Sequence, residues 1–185
     1  NPYQTIQKAI NESSDGNIVF VNIGVYLENI NFNGKNIIVQ GADRRTTVIN
    51  GGQNGSVVTF ESGEDSTTVL KNITIENGSA YDGGGVKITN SNPTLLNVYI
   101  SENNADNTGG AIYINNSALP QGVTCNISNV IIVENTASNY PSIAWPFCKI
   151  LLSQSTIANN TSSDSTSETF AAGDGNNTHI DMVNS

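Results

Sequence analysis

Three Glu-Asn pairs, Glu76-Asn77, Glu102-Asn103 and Glu134-Asn135, recur along the 185-residue chain, each after a short β-branched run. If those runs stack, Glu76, Glu102 and Glu134 fall in one column, where mutual repulsion raises their pKa values or draws in a hard cation such as Ca²⁺. Ca²⁺ is the one cofactor the pattern suggests. The plainer reading is that outward turn glutamates splay into solvent, because calcium loops add Asp and glycine-turn geometry that do not recur here. His179, the only histidine, has Asp181 two residues later, so a strand puts both on one face, where a general base would find an orienting partner. A residue of a terminal rung is the simpler assignment. Tyr99, Tyr113 and Trp145 are the candidate carbohydrate contacts, since aromatic faces stack on sugar rings. Tyr99 and Tyr113 alternate with apolar neighbours and face outward, whereas Trp145 lies in an insertion over 140–147, with core packing as the alternative.

Charge and composition narrow the partners. Seven basic residues against 16 acidic ones give a net charge of −9, too few cations to track a phosphate backbone, so nucleic acid is excluded as a partner. No apolar run approaches the roughly 18 to 20 residues that cross a bilayer, so no membrane insertion is expected. The sequence contains 29 Asn, 19 Ser and 17 Thr. Side chains of these types hydrogen-bond adjacent backbone, and Asn tolerates left-handed conformations, so tight turns are expected throughout.

The elements that position these residues follow from repetition. Tyr3, Ile6 and Ile10 are spaced for one face of a helix over 3–11, ended by Ser13-Ser14-Asp15-Gly16. Beyond it come runs at 18–21, 37–39, 57–60, 69–75, 86–88, 95–100, 112–114, 130–133 and 150–152, separated by Asn, Gly, Ser and Asp clusters, which read as strands. Asn72-Ile-Thr-Ile75 returns as Asn97-Val-Tyr-Ile100, Asn129-Val-Ile-Ile132 and Gln154-Ser-Thr-Ile157, at spacings of 25, 32 and 25. Gly84-Gly85-Val86-Lys87-Ile88 is echoed 26 residues later from Gly110. A unit of about 25 residues with short strands and no helix buries its apolar side chains only by stacking on its neighbours, which describes a solenoid. A leucine-rich repeat matches part of the pattern, but a second alternating strand stands where its helix belongs. The amide column Asn72, Asn97, Asn129 and Gln154 serves to satisfy turn backbone groups along the axis.

Thr5-Ile-Gln-Lys-Ala-Ile10, Ile18-Val-Phe-Val21, Gly24-Val-Tyr-Leu-Glu-Asn-Ile30, Gly41 and Thr47-Val-Ile-Asn-Gly51 together resemble the opening of right-handed parallel β-helix proteins of the pectin-lyase-like superfamily. The later rungs are similar to the Asn- and Gly-rich repeats of secreted bacterial surface proteins. The resemblance implies an all-β, single-stranded right-handed parallel β-helix with a short N-terminal capping helix. It implies no single activity, because the scaffold carries lyases, hydrolases, esterases and adhesins. The Asp-Phe-Ile-Phe-Gly stretch of pectin methylesterases is missing, as are the Asn-Thr-Asp, Asp-Asp, Gly-His-Gly and Arg-Ile-Lys motifs of polygalacturonases. The only arginines, Arg44 and Arg45, sit in a turn near the amino end and not beside an acidic cluster of the pectate lyase kind.

The expectation is therefore one β-helix domain over 1–185, with 1–16 as capping helix and turn and 17–185 as about six to seven rungs, taken from a longer or assembling chain. Its expected role is that of a noncatalytic, secreted structural or adhesive module at a cell surface or in an extracellular fibre, self-associating through exposed rung ends. The alternative is a carbohydrate-active enzyme or sugar-binding domain acting on a neutral or weakly acidic polysaccharide. Cys125 and Cys148 precede the landmark strands of successive rungs by four and six residues, so both point inward from one sheet. A disulfide between them is favoured slightly over two buried thiols. In a glycosylating, secreted context the candidate sequons are Asn11, Asn54, Asn77, Asn115, Asn126, Asn159, Asn160 and Asn176.

Overall fold

The β-branched runs become short strands because each is interrupted, every few residues, by one that takes a positive φ. Asn72, Asn97, Asn129 and Gln154 lie at φ 59°, 55°, 52° and 48°, and Asn77, Glu102, Glu134 and Asn159 at 56°, 56°, 59° and 56°. The left-handed region turns the chain sharply, and Asn enters it at the least cost of any residue with a side chain. A computed structural model describes residues 2–120, 123–145, 149–164, 170–171 and 179–183.

Helix α1 (Ile6–Glu12) opens the chain, followed in the first turn by β1 (Ile18–Val21), β2 (Gly24–Leu27) and β3 (Ile30–Asn31). The second turn holds β4 (Ile38–Gly41), β5 (Thr47–Asn50) and β6 (Val58–Phe60). The third holds β7 (Val69–Lys71), β8 (Thr74–Glu76), β9 (Ser79–Asp82) and β10 (Val86–Thr89). The fourth repeats them as β11 (Thr94–Leu96), β12 (Tyr99–Ser101), β13 (Asn104–Thr108) and β14 (Ile112–Asn115). The fifth comprises β15 (Thr124–Ser128), β16 (Ile131–Val133), β17 (Thr136–Asn139) and β18 (Ile143–Ala144). The sixth comprises β19 (Lys149–Ser153), β20 (Thr156–Ala158), β21 (Thr161–Ser162) and β22 (Phe170–Ala171), after which β23 (His179–Val183) begins another.

Corresponding strands of successive turns pair in parallel to form four sheets along the axis. Sheet A runs from β1 through β4, β7, β11, β15 and β19 to β23, and sheet B from β2 through β5, β8, β12 and β16 to β20. Sheet C joins β3, β6, β10, β14, β18 and β22, and sheet D joins β9, β13, β17 and β21. The core lies inside this cylinder. Ile49, Ile75, Ile100 and Ile132 pair in register down sheet B and are fully buried, and Ile157 continues the column half-buried. Val39, Leu70, Leu95 and Ile127 do the same in sheet A. Each such side chain contributes about 1.5–3 kcal/mol of burial.

The helix is shorter than its apolar spacing suggested. Thr5 is the N-cap, its hydroxyl accepting from the Lys8 N–H, so Tyr3 precedes the helix and is 53% exposed while Ile6, Ala9 and Ile10 cover the end of the core. The carboxylate of Glu28 receives the N–H groups of Ile6 and Gln7 at 2.9 and 3.0 Å, fastening the helix to the first turn. The expected strands at 69–75 and 95–100 are each two, broken where Asn72 and Asn97 turn the chain from sheet A to sheet B. Between sheets D and C the backbones approach so closely that a Cβ on Gly84 would lie 2.2 Å from the Asn104 carbonyl oxygen, and one on Gly110 would lie 2.3 Å from that of Thr136. Hydrogen is the only side chain that fits there.

Two amide ladders hold the corners. On the outside, Asn97 Nδ2 donates to Asn72 Oδ1 at 2.8 Å and Asn129 Nδ2 to Asn97 Oδ1 at 3.1 Å, so this column bonds side chain to side chain rather than to the turn backbone groups it was expected to satisfy. Inside, at the corner from sheet B to sheet D, Asn103 Nδ2 donates to Asn135 Oδ1 at 3.0 Å and Asn135 Nδ2 to Asn160 Oδ1 at 2.9 Å.

Candidate functional site: a groove on the outer face of sheet B

From the third turn onward, two residues suffice to pass from sheet A to sheet B, but the second turn spends five, 42–46. Asp43 shapes this longer corner: its carbonyl receives the N–H groups of Thr46 and Thr47 at 3.0 and 2.9 Å, and its carboxylate that of Arg45 at 2.8 Å. The corner then lies along the cylinder. The Thr74 hydroxyl donates to the Arg44 carbonyl, and Arg44 Nη1 reaches the Asn129 carbonyl at 3.1 Å, three turns away from its own.

Beneath this strap runs an outward column in register, Val48, Thr74, Tyr99, Ile131 and Thr156. Thr74 is covered, at 8% exposure, while Tyr99 and Ile131 remain half-buried. Arg44, Arg45, Thr74, Tyr99 and Ile131 line a half-open cavity of about 260 Å³. Tyrosine and isoleucine present an apolar wall suited to the C–H faces of a sugar ring. Guanidinium groups at the rim supply forked donors for hydroxyl or carboxylate oxygens, with a charge that lysine cannot deliver in the same planar geometry.

The three glutamates do not share a column. Glu76 pairs with Ser101 rather than Glu102, and its Oε1 accepts from Asn50 Nδ2 at 3.0 Å. Glu102 and Glu134 come one position later, in the left-handed corner conformation and exposed. Counting would have shown it, since Glu76 follows Asn72 by four residues while Glu102 and Glu134 follow Asn97 and Asn129 by five. Among the described residues no three His, Cys, Asp or Glu side chains are grouped to hold a metal ion. Of the aromatic candidates, Tyr99 is in the groove. Tyr113 is on sheet C, beside Lys87, with its hydroxyl accepting from Asn115 Nδ2 at 3.3 Å. Trp145 is corrected from sugar contact to core: Ile143 pairs with Ile112, the strand's alternation carries on past it, and the indole is only 2% exposed.

Cys125 is a buried free thiol whose Sγ accepts from Asn116 Nδ2 at 3.5 Å and whose strand partner is Ile150, while Cys148 lies outside the described residues. Among the sequons, Asn11 and Asn54 are exposed and Asn126 is half-buried on the outer side of β15. Asn77 and Asn159 occupy left-handed corners. Asn115 receives the Ser117 N–H on its side-chain oxygen, and Asn160 is committed to the inner ladder. Asn176 lies outside the described residues. The backbone of His179 pairs with Lys149. Asp65, on the corner before β7, is held below the ordinary carboxylate range by the hydroxyl and N–H of Thr67.

Nothing in the sequence announced the groove. Arg44 and Arg45 read as a turn because the wall they face comes from Thr74, Tyr99 and Ile131, in strands three turns of the cylinder away at the farthest.

No family profile matches the sequence, and no curated protein is significantly similar to it. Several solved structures do match. A mutant pectin methylesterase in complex with a hexasaccharide superposes with a TM-score of 0.54 at 13% identity, covering 92% of this chain and 55% of its own. Pectin methylesterase PemA from Erwinia chrysanthemi superposes with a TM-score of 0.53 at 13% identity, covering 88% of this chain and 53% of its own. The chain thus spans about half the length of the esterases it resembles. This finding corrects the expected noncatalytic structural or adhesive role: the two solved proteins just described are pectin methylesterases, one of them in complex with a hexasaccharide. What the likeness establishes is the architecture: the chain has the right-handed parallel β-helix fold that these pectin methylesterases share.

Proposed function

We propose that the chain is a carbohydrate-active β-helix domain that acts outside the cell and holds a weakly acidic polysaccharide in the groove of sheet B. The observation that carries this reading is the strap at 42–46, which sets Arg44 and Arg45 over Tyr99 and Ile131 in one cavity. An overall charge of −9 repels a polyanion, so a saccharide of low charge density, with a carboxylate within reach of the two guanidinium groups, suits the groove better than a fully ionised one. The fold shared with pectin methylesterases supports the same class of ligand.

Calorimetric titration with oligogalacturonides of graded methyl esterification, and with a neutral glucan as control, tests it. Tyr99→Ala and Arg45→Ala are each expected to weaken binding of a partly esterified oligosaccharide at least tenfold, the effect of losing about 1.5–3 kcal/mol from a stacked ring or a charge-assisted bond. The Arg45 effect shrinks as salt is raised, because the guanidinium is exposed. Binding that survives both substitutions, or that favours the glucan, puts the ligand elsewhere.

A further inference from the structure

Four Asn-Gly pairs stand in this chain, at 33–34, 50–51, 54–55 and 77–78. Asparagine before glycine is a reactive dipeptide, because the glycine amide nitrogen carries no neighbouring side chain to hinder its attack on the asparagine Cγ. A C–N bond forms and ammonia leaves. Water then opens the five-membered imide at either carbonyl, giving Asp or the isomer linked through its side chain. The attack needs a glycine N–H that solvent can deprotonate and an asparagine side chain free to swing onto it. The fold meets these two conditions unequally at the four pairs.

At 33–34 the Gly34 N–H donates to the buried carboxylate of Glu64 at 2.8 Å, a charge-assisted bond beside which a second negative charge on the nitrogen is disfavoured. Asn33 Nδ2 is also engaged, with Asn11 Oδ1 at 3.2 Å. At 50–51 the side chain is held at both ends, Nδ2 donating to Glu76 Oε1 at 3.0 Å and Oδ1 receiving the Gly52 N–H at 3.0 Å. Gly51 is itself buried, its N–H on the Glu76 carbonyl at 2.9 Å. At 77–78 the Gly78 N–H donates at 2.8 Å to Oδ1 of the buried Asn103, in packing so close that a Cβ on Gly78 would lie 1.9 Å from the Gly84 carbonyl oxygen. Solvent does not reach that amide.

Asn54 differs on both counts. It is exposed on the corner 51–57 between β5 and β6, and among the described residues no group bonds to its side-chain amide. The Gly55 N–H meets the neutral carbonyl of Ser79 at 2.8 Å, in an isolated bridge whose other bond is Ser79 N–H to the Gly55 carbonyl at 3.1 Å. A bridge of that kind opens by local fluctuation, without loss of any strand. We infer that Asn54 is a site of spontaneous covalent modification, the one Asn-Gly pair that converts to Asp and isoaspartate while the cylinder stays folded. Either product adds a negative charge to the −9 of the chain. Isoaspartate also inserts an extra main-chain carbon before Gly55, so that the bridge to Ser79 loses its register and the corner of the second turn comes away from β9.

Trypsin divides the four pairs among three peptides, 9–35, 46–71 and 72–87. The 185-residue chain is incubated at mildly alkaline pH, once folded and once in denaturing urea, with circular dichroism to verify the folded sample. Peptide mass spectrometry then follows the gain of about 1 Da that each conversion brings, with fragmentation to separate positions 50 and 54. In the folded chain position 54 is expected to convert at least about tenfold faster than 33, 50 and 77, whereas in urea the four rates converge, because every glycine N–H is then open to solvent. Asn54→Gln should abolish the fast conversion, since glutamine would have to close a six-membered imide. A folded chain in which 33, 50 or 77 converts as fast as 54 overturns the inference. So does a folded chain whose Asn54 stays intact while the sample in urea reacts.

Discussion

Asn135→Ala is expected to lower the stability of the cylinder by about 4 kcal/mol, and with it the melting temperature by roughly 10 °C for a domain of this size. The side chain is fully buried and uses both ends. Its Oδ1 receives the backbone N–H of Asn103 at 3.1 Å and Nδ2 of the same residue at 3.0 Å, while its Nδ2 donates to the carbonyls of Ile100 and Val133 at 3.0 and 2.9 Å and to Asn160 Oδ1 at 2.9 Å. A made hydrogen bond is worth about 1 kcal/mol net, but a buried group stranded without water costs about 1–3 kcal/mol, so the penalty comes mostly from the neighbours left behind. Asn135→Asp should be at least as harmful as alanine, because it keeps the acceptor but turns a carboxylate oxygen toward two carbonyls. Asn129→Ala, in the exposed outer ladder, should cost only about 1–2 kcal/mol, since water replaces the lost amide bonds and what remains is the penalty of alanine at φ 52°. Chemical denaturation followed by circular dichroism separates these cases, and equal losses at 129 and 135 would refute the distinction between the ladders.

Glu64→Ala should cost about 3–5 kcal/mol, because three buried donors lose their acceptor at once and each stranded group costs about 1–3 kcal/mol. Glu64 is fully buried at the corner between sheets C and A. Its Oε1 receives the Gly34 N–H at 2.8 Å, and its Oε2 receives the Ser62 N–H at 3.0 Å and the Ser91 hydroxyl at 2.7 Å. The Ser91 N–H in turn donates to Asn116 Oδ1 at 3.0 Å. One carboxylate thus ties the corners of the first, second and third turns, and the fourth is joined through Ser91. Glu64→Gln should recover part of the loss: its oxygen can keep the two donors at Oε2, whereas its amide N–H meets the Gly34 N–H with no acceptor between them. A glutamine variant as unstable as alanine would show that charge, not hydrogen-bond geometry, holds the corner.

What could be read from the sequence was whatever repeats. The Ile75, Ile100, Ile132 and Ile157 column pairs as the 25-, 32- and 25-residue spacings required, and the Gly-Gly landmark pairs Val86 with Ile112 and Ile88 with Ile114. Sheet D escaped notice because its strands are nearly all polar: β9 is Ser-Ala-Tyr-Asp and β13 is Asn-Ala-Asp-Asn-Thr, each turning only a small alanine toward the core. Where the backbones are that close, there is no room for the large side chains by which a strand is recognised. Glu64 has no counterpart in other turns, so periodicity was silent about it. The groove was hidden for a related reason, since its rim and its wall belong to different turns and only the completed cylinder brings them together.

A stack of turns coupled only to nearest neighbours unfolds piecemeal from its ends, each turn leaving at the cost of one interface. The amide ladders are couplings of that kind, joining residues 25 or 32 apart. The bond from Arg44 to the Asn129 carbonyl skips the third and fourth turns and grips the fifth directly. It makes the strap a clasp along the long axis, coupling the second turn to the fifth in addition to their immediate neighbours, so that fraying at one is felt at the other.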